Sequence, residues 1–195
     1  VDETRRCRPQ TSRARRRVDA ESILRRFGVS CHADVVILRA PGIYASDRLP
    51  LERVRRKDPV LRVEDDVFTN HIHAADLAML ACKALSRGKP GRVYNASDDT
   101  ELRMGEYFDF VADVFDMERP PRVSRAEAAA RLSATALSFM RESRRLSNVR
   151  MKAELGMKLR YPTVLSGIME AREELGNPSR DRAQSGFSSS SAERE

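Results

Sequence analysis

The sequence predicts an α/β chain with too few strands for a complete doubly wound sheet. Two observations carry that expectation. The run Asp34–Ala40, DVVILRA, is continuously apolar and rich in β-branched residues, the pattern of a strand covered on both faces in a parallel sheet. Helical periodicity recurs on either side of it, with a second short strand between helices. A chain of 195 residues has the length of one domain or a piece of one.

The elements follow in order. From Thr11 to Phe27, the residues Ala14, Val18, Ala20, Ile23, Leu24 and Phe27 share one helical face, with Pro9 ahead and Gly28 just after. Pro41-Gly42 ends the first strand. Leu49 to Arg56 reads as a short helix, Asn70 to His73 as an extended piece and Ala74 to Ser86 as a second amphipathic helix, closed by Gly88 and Pro90. Arg92 to Ala96 is the second strand. Arg103 to Phe115 is a third helix, with Met104, Tyr107, Phe108, Val111 and Phe115 inward, and Arg119-Pro120-Pro121 breaks the chain after it. Ala126–Leu132 and Asn148–Leu155 read as helices, the second with Ser147 as N-cap. Thr163–Leu175 is the last helix. Residues 176–195 are rich in Ser and small polar residues, too poor in apolar area to offset ordering entropy, and read as a disordered tail.

Composition excludes several classes. The net charge is +7, with 33% of residues charged. No stretch approaches the roughly 18 consecutive apolar residues of a spanning helix. The Arg-rich N-terminus lacks the apolar core of a secretory signal. Opening on Val1 rather than Met fits a portion of a longer protein or an unusual start. Three widely spaced cysteines argue against a disulfide framework and for a reducing cytoplasm, with Cys31 and Cys82 read as small buried residues. Seven arginines crowd the first 17 residues, but no aromatic residue is interleaved with them, which argues against nucleic-acid binding.

The chemistry-bearing motifs are incomplete. The nine glycines offer no G-x-G-x-x-G or Walker-type spacing, so no phosphate-cradling loop can be drawn. None of the four tyrosines has a Lys four residues later, and G-x-S-x-G is absent. His71 and His73 share one face of an extended segment, but no third ligand is evident, so one packed and one surface imidazole is the expectation rather than a metal site. Asp76 fits the first turn of the helix that follows.

Four segments in order resemble one family. Val35–Tyr44 (VVILRAPGIY), Phe68–Ala78 (FTNHIHAADLA), Val93–Asp98 (VYNASD) and Ser147–Pro162, with its S-N, E-L-G and Y-P, resemble the NAD-dependent epimerase/dehydratases, extended short-chain dehydrogenase/reductases. Val1-Asp2-Glu3-Thr4 resembles the turn before their catalytic helix. That resemblance implies the C-terminal part of a Rossmann-type doubly wound sheet plus a small substrate lobe, spanning residues 1–175, with the N-terminal β-α-β units missing. It puts Arg13 and Arg17 where the family carries its catalytic Tyr and Lys, so no catalytic residue is assigned, and it leaves His71 or Tyr44 as substitute acids. The YeeZ-like branch, which lacks that Tyr, is the nearest match.

By the same resemblance, Pro41, Gly42 and Ile43 would lie against the nicotinamide of NAD or NADP. Arg48, Asn70 and His71 would face the substrate, and Arg145 would contact an anion. The implied activity is oxidation and reduction of a nucleotide sugar or similar hydroxylated small molecule. This chain would be a truncated, inactive portion that binds no cofactor alone, cytoplasmic and possible in homo-oligomers. The alternative is a non-enzymatic remnant or binding module whose basic N-terminal helix meets an acidic partner.

Overall fold

The computed structural model describes residues 1–176. The elements run α1 (Ser12–Cys31), β1 (Ile37–Arg39), β2 (Gly42–Tyr44), a short 3-10 helix (Ser46–Arg48), α2 (Leu51–Arg55), β3 (Val60–Leu61), β4 (Phe68–Thr69), β5 (His71–His73) and α3 (Ala74–Arg87). They continue with β6 (Val93–Asn95), β7 (Leu102–Arg103), α4 (Met104–Val114), β8 (Arg122–Val123), α5 (Arg125–Arg131), α6 (Ala134–Phe139), α7 (Val149–Leu155) and α8 (Val164–Gly176).

Parallel pairing organises the centre. β1 lies beside β6, with Ile37 opposite Val93 and Arg39 opposite Asn95. β2 lies beside β5, with Gly42 opposite His71. The helix α3 leaves β5 and returns the chain to β6. Its Leu80 and Ala84 pack with Met151 and Leu155 of α7 over Ile72 and Tyr94, and all six are buried. Full burial of each large aliphatic side chain contributes about 1.5–3 kcal/mol. A second core joins Tyr44 to Val54 of α2, Phe108 and Val111 of α4, and Val164 and Ile168 of α8. The outer edge of β6 is closed by side chains. Glu3 accepts from the Asn95 N–H at 2.8 Å, and Arg150 donates to the Val93 carbonyl at 3.1 Å. The two side chains pair at 3.5 Å, with Glu3 only 2% exposed.

Five expectations are corrected. The first helix does not end at Gly28 but continues to Cys31, because a Cβ at Gly28 would sit 2.9 Å from Val35 and the bare backbone permits that approach. Its apolar residues do not share one inward face: no α1 residue is buried, Ala14 and Val18 are half-buried, and Ile23, Leu24 and Phe27 are about half exposed. The stripe of Ala14, Val18, Glu21, Arg25 and Gly28 holds the helix, through a bidentate Glu21–Arg39 pair at 2.7 and 2.8 Å and a bond from Arg25 to the Gly91 carbonyl. Cys31 and Cys82 are exposed, Cys82 because Leu80 and Ala84 take the inner side of α3. The first strand does end ahead of Pro41-Gly42, but Gly42 also opens a further strand, β2, rather than a plain turn. The N-cap of α7 is Asn148 rather than Ser147. The expected tail lies outside the described residues, apart from Gly176, which ends α8.

Candidate functional site

Open α/β sheets bind ligands in the crevice beyond the carboxyl ends of their parallel strands. β6 ends at Asn95, and a cleft of about 430 Å³ opens beyond it, lined by Asn70, Asp98, Thr100, Glu101, Arg145 and Asn148 among others.

Hydrogen bonds of the backbone and short polar side chains build its walls. Asp98 N–H donates to the His71 carbonyl at 2.7 Å, and Asp99 N–H donates to the Pro162 carbonyl at 2.8 Å. Asn148 Nδ2 reaches the carbonyls of Ser97 and Asp98 and Asp99 Oδ1, at 2.9, 3.1 and 2.7 Å. Asn70 holds the opposite wall, accepting from Leu146 N–H and donating to the Arg144 carbonyl, each at 2.8 Å. At the rim, Arg145 pairs with Glu101 at 3.1 Å and lies over the Phe68 ring.

Behind the cleft is a sealed aromatic layer. His71 is buried, its ring 4.3 Å from that of Tyr107, and Tyr44 meets both His71 and His73 edge-on. Burial pushes the His71 imidazole down to about 4, so it is neutral at pH 7. Burial raises the Tyr44 phenol, whose hydroxyl donates to the Thr163 carbonyl at 3.3 Å. His73 caps α3, its Nδ1 accepting from Ala75 N–H. Buried Asp76 does more than fill a helical turn: its two oxygens accept from the N–H groups of Arg160 and Tyr161, at 2.8 and 2.9 Å, and fix the chain entering α8.

The residues singled out in the sequence are partly brought together. Gly42 N–H donates to the Asn70 carbonyl at 3.1 Å, and a Cβ on Gly42 would lie 3.0 Å from His71 Cδ2, so Gly42, Asn70 and His71 form one contact set beside Arg145. Pro41 and Ile43 flank that set, with Ile43 exposed. Arg48 lies apart in the short 3-10 helix, exposed next to Asp47. On α1, Arg13 stacks on the Phe139 ring at 3.9 Å and Arg17 points to solvent. The substitute acids His71 and Tyr44 are both sealed from the cleft, at 5% and 2% exposure. Asp98 and Asn148 were legible only as letters of the V-Y-N-A-S-D and S-N segments, and their convergence needs the fold.

No protein-family model and no curated protein matches the sequence. Solved structures do. A conserved protein of unknown function from Silicibacter pomeroyi shares 28% identity, with a TM-score of 0.78 over 91% of this chain and 60% of its own. A UDP-N-acetylglucosamine 4-epimerase from Bacillus cereus superposes with a TM-score of 0.64 at 14% identity, over 90% of this chain and 57% of its own. A dTDP-glucose 4,6-dehydratase from Bacillus anthracis, solved with NAD, gives 0.68 at 16% identity, over 91% and 56%. This chain thus spans about 60% of the length of such proteins and shares their α/β fold over that part.

The residues described here do not form a dinucleotide phosphate site. The glycines with positive φ, Gly91 and Gly156, stand singly, at a turn and at the end of α7. The Gly42 N–H is spent on Asn70, leaving Pro41 and Ile43 to offer an apolar wall and no cradle.

Proposed function

We propose that residues 1–175 are the C-terminal portion of an NAD(P)-dependent epimerase/dehydratase-like oxidoreductase of the YeeZ-like branch, acting when whole on a nucleotide sugar or similar hydroxylated small molecule. The observation that carries this reading is the cleft at the carboxyl end of β6, whose walls are braced by Asn70, Asn148 and Asp98 and whose rim carries the Arg145 cation. The shared fold supports it by analogy. In this reading the chain is the substrate-side half, Asn70 and Arg145 face the substrate with His71 behind them, and Arg48 plays its part from the outer lobe. The nicotinamide lies on Pro41, Gly42 and Ile43, and the phosphate loop is supplied by preceding sequence. Arg13 and Arg17 replace the usual acid and its partner, so turnover is slow. Three free, exposed thiols favour a reducing compartment, the cytoplasm.

The test is the coding sequence upstream of Val1. An in-frame glycine-loop β-α-β segment is expected, whose full-length product binds NAD(H) or NADP(H) with micromolar affinity and oxidises or reduces a member of a nucleotide-sugar panel. A stop codon directly upstream, or a full-length product that binds neither dinucleotide, overturns the reading. The chain by itself is expected to bind either dinucleotide no tighter than millimolar in a calorimetric titration, and a micromolar constant would contradict the assignment.

One observation favours the second reading, a binding module for an acidic partner. Arg5, Arg6, Arg8, Arg13, Arg15, Arg16 and Arg17 have no carboxylate partner among the described residues, on a segment with no buried residue in its helix. The upstream stop codon that overturns the first reading is the result this one expects.

A further inference from the structure

The segment Ala96–Glu101 is where the parallel centre, α7 and α8 are tied together. Ala96 N–H bonds to the Arg39 carbonyl, Asp98 N–H to His71, Asp99 N–H to Pro162, and Val164 N–H to Thr100 Oγ1. In the middle, Asp98 is 4% exposed. Its Oδ1 accepts from Thr100 N–H at 3.0 Å, while its Oδ2 is buried with no hydrogen-bond partner among the described residues, as is Nδ1 of the neighbouring His71. A buried ionised oxygen with nothing to bond is costly, whereas a protonated one is tolerated.

Among the described residues, its surroundings offer no free counter-charge. Tyr44 on β2, Tyr107 on α4, Asp76 on α3 and Asp99 beside it lie close enough to interact with its charge. His71 on β5 is neutral, and His73 and Tyr161 stack on each other at 3.8 Å one layer further out. The nearby cations are engaged elsewhere: Lys152 of α7 binds Asp99, Arg160 binds Glu170 and Arg145 at the cleft rim binds Glu101. Among the described residues, two carboxylates and no free cation therefore surround a buried carboxyl.

We propose that Asp98 is a proton-operated latch: as the neutral acid it holds the β5, α7 and α8 junction closed, and on ionisation it loosens the Asp98–Glu101 wall of the cleft. Burial, opposed by hydrogen bonding to Thr100 and reinforced by the neighbouring carboxylates, lifts its titration to about 7, which puts the transition within the physiological range. The latch belongs to this chain's own fold and holds whether or not the cleft takes a sugar substrate.

Hydrogen exchange on the intact chain tests it. The Asp98 and Asp99 amides, corrected for intrinsic rates, are expected to lose about tenfold in protection between pH 6 and 8.5, while amides of α4 do not. Asp98→Asn, which places a donor where the protonated oxygen stands, is expected to abolish that loss. Protection that stays flat in the unmodified chain, or an equal loss in Asp98→Asn, overturns the proposal. The ¹³C resonance of the Asp98 carboxyl gives a reading that needs no variant: titration near neutrality is expected, and titration in the ordinary aspartate range overturns it.

Discussion

The helices α1 and α3 are both capped, and they end in different situations. α1 has 20 residues, an N-cap at Thr11 whose side chain accepts from Ala14 N–H, and a left-handed C-cap at His32. α3 has 14, an N-cap at His73, and Leu80 and Ala84 buried against α7. α3 gathers its apolar residues on one face, whereas α1 spreads its own around the helix. Only α3 spends them on a core, while Ile23, Leu24 and Phe27 of α1 face outward. Caps and propensity are enough to write a helix, but burial depends on what lies opposite.

The largest expected effect breaks that comparison if it fails. Leu80→Ala should cost about 2–5 kcal/mol in chemical denaturation. The same truncation at Leu24 should cost no more than about 0.5 kcal/mol. Equal losses would mean that α1 is as well covered as α3.

A second test uses the sealed layer beneath α3. The folded His71 titrates near 4, below the usual 6.5, so the folded state binds fewer protons than the unfolded state in that window. Its contribution therefore rises with pH from about 4 to 6.5 and is lost as pH falls. Asp98 is shifted the other way, from 3.8 to about 7, so its contribution falls as pH rises through that range. The two slopes offset each other in the unmodified chain. Relative to it, Asp98→Asn should gain about 2 kcal/mol between pH 4.5 and 6.5, and His71→Phe should lose about as much. Parallel stability profiles for all three proteins would contradict this.

Tethers come next. Asp76→Ala removes two backbone bonds to a buried carboxylate and should cost about 1.5–3 kcal/mol. Glu21→Ala, which removes the clamp of α1 on Arg39, should cost about 1 kcal/mol or less, since both side chains keep solvent access. The smallest change in stability is expected for Ile23→Glu with Phe27→Lys. Light scattering is nonetheless expected to report less self-association, because the two changes remove exposed apolar surface. A monodisperse unmodified chain would remove that expectation.

How far the sequence could be read follows the same contrast. DVVILRA announced a parallel strand through its aliphatic, β-branched run, and Arg92–Ala96 a second strand between helices. The two- and three-residue strands β2, β3, β4, β7 and β8 left no period to detect. The helix α1 was legible, but which of its apolar residues turn outward was set by the stripe of Glu21, Arg25 and Gly28, which Ala14 and Val18 share and Ile23 and Phe27 do not. In the site, Asn70 and Arg145 were nameable from local motifs, whereas Asp98 meeting His71 and Asn148 depends on contacts about 27 and 50 residues apart, which no local window contains.

The Glu3–Arg150 pair gives the sheet a growth direction. A strand's outer edge normally invites another strand, but here a carboxylate and a guanidinium occupy the Asn95 N–H and the Val93 carbonyl that such a strand would need. On β1 the equivalent groups of Leu38 have no backbone partner among the described residues. Any further strand, whatever chain it belongs to, therefore joins beside β1 and never beyond β6. The ion pair acts as a terminator, so the sheet can be extended on one side only.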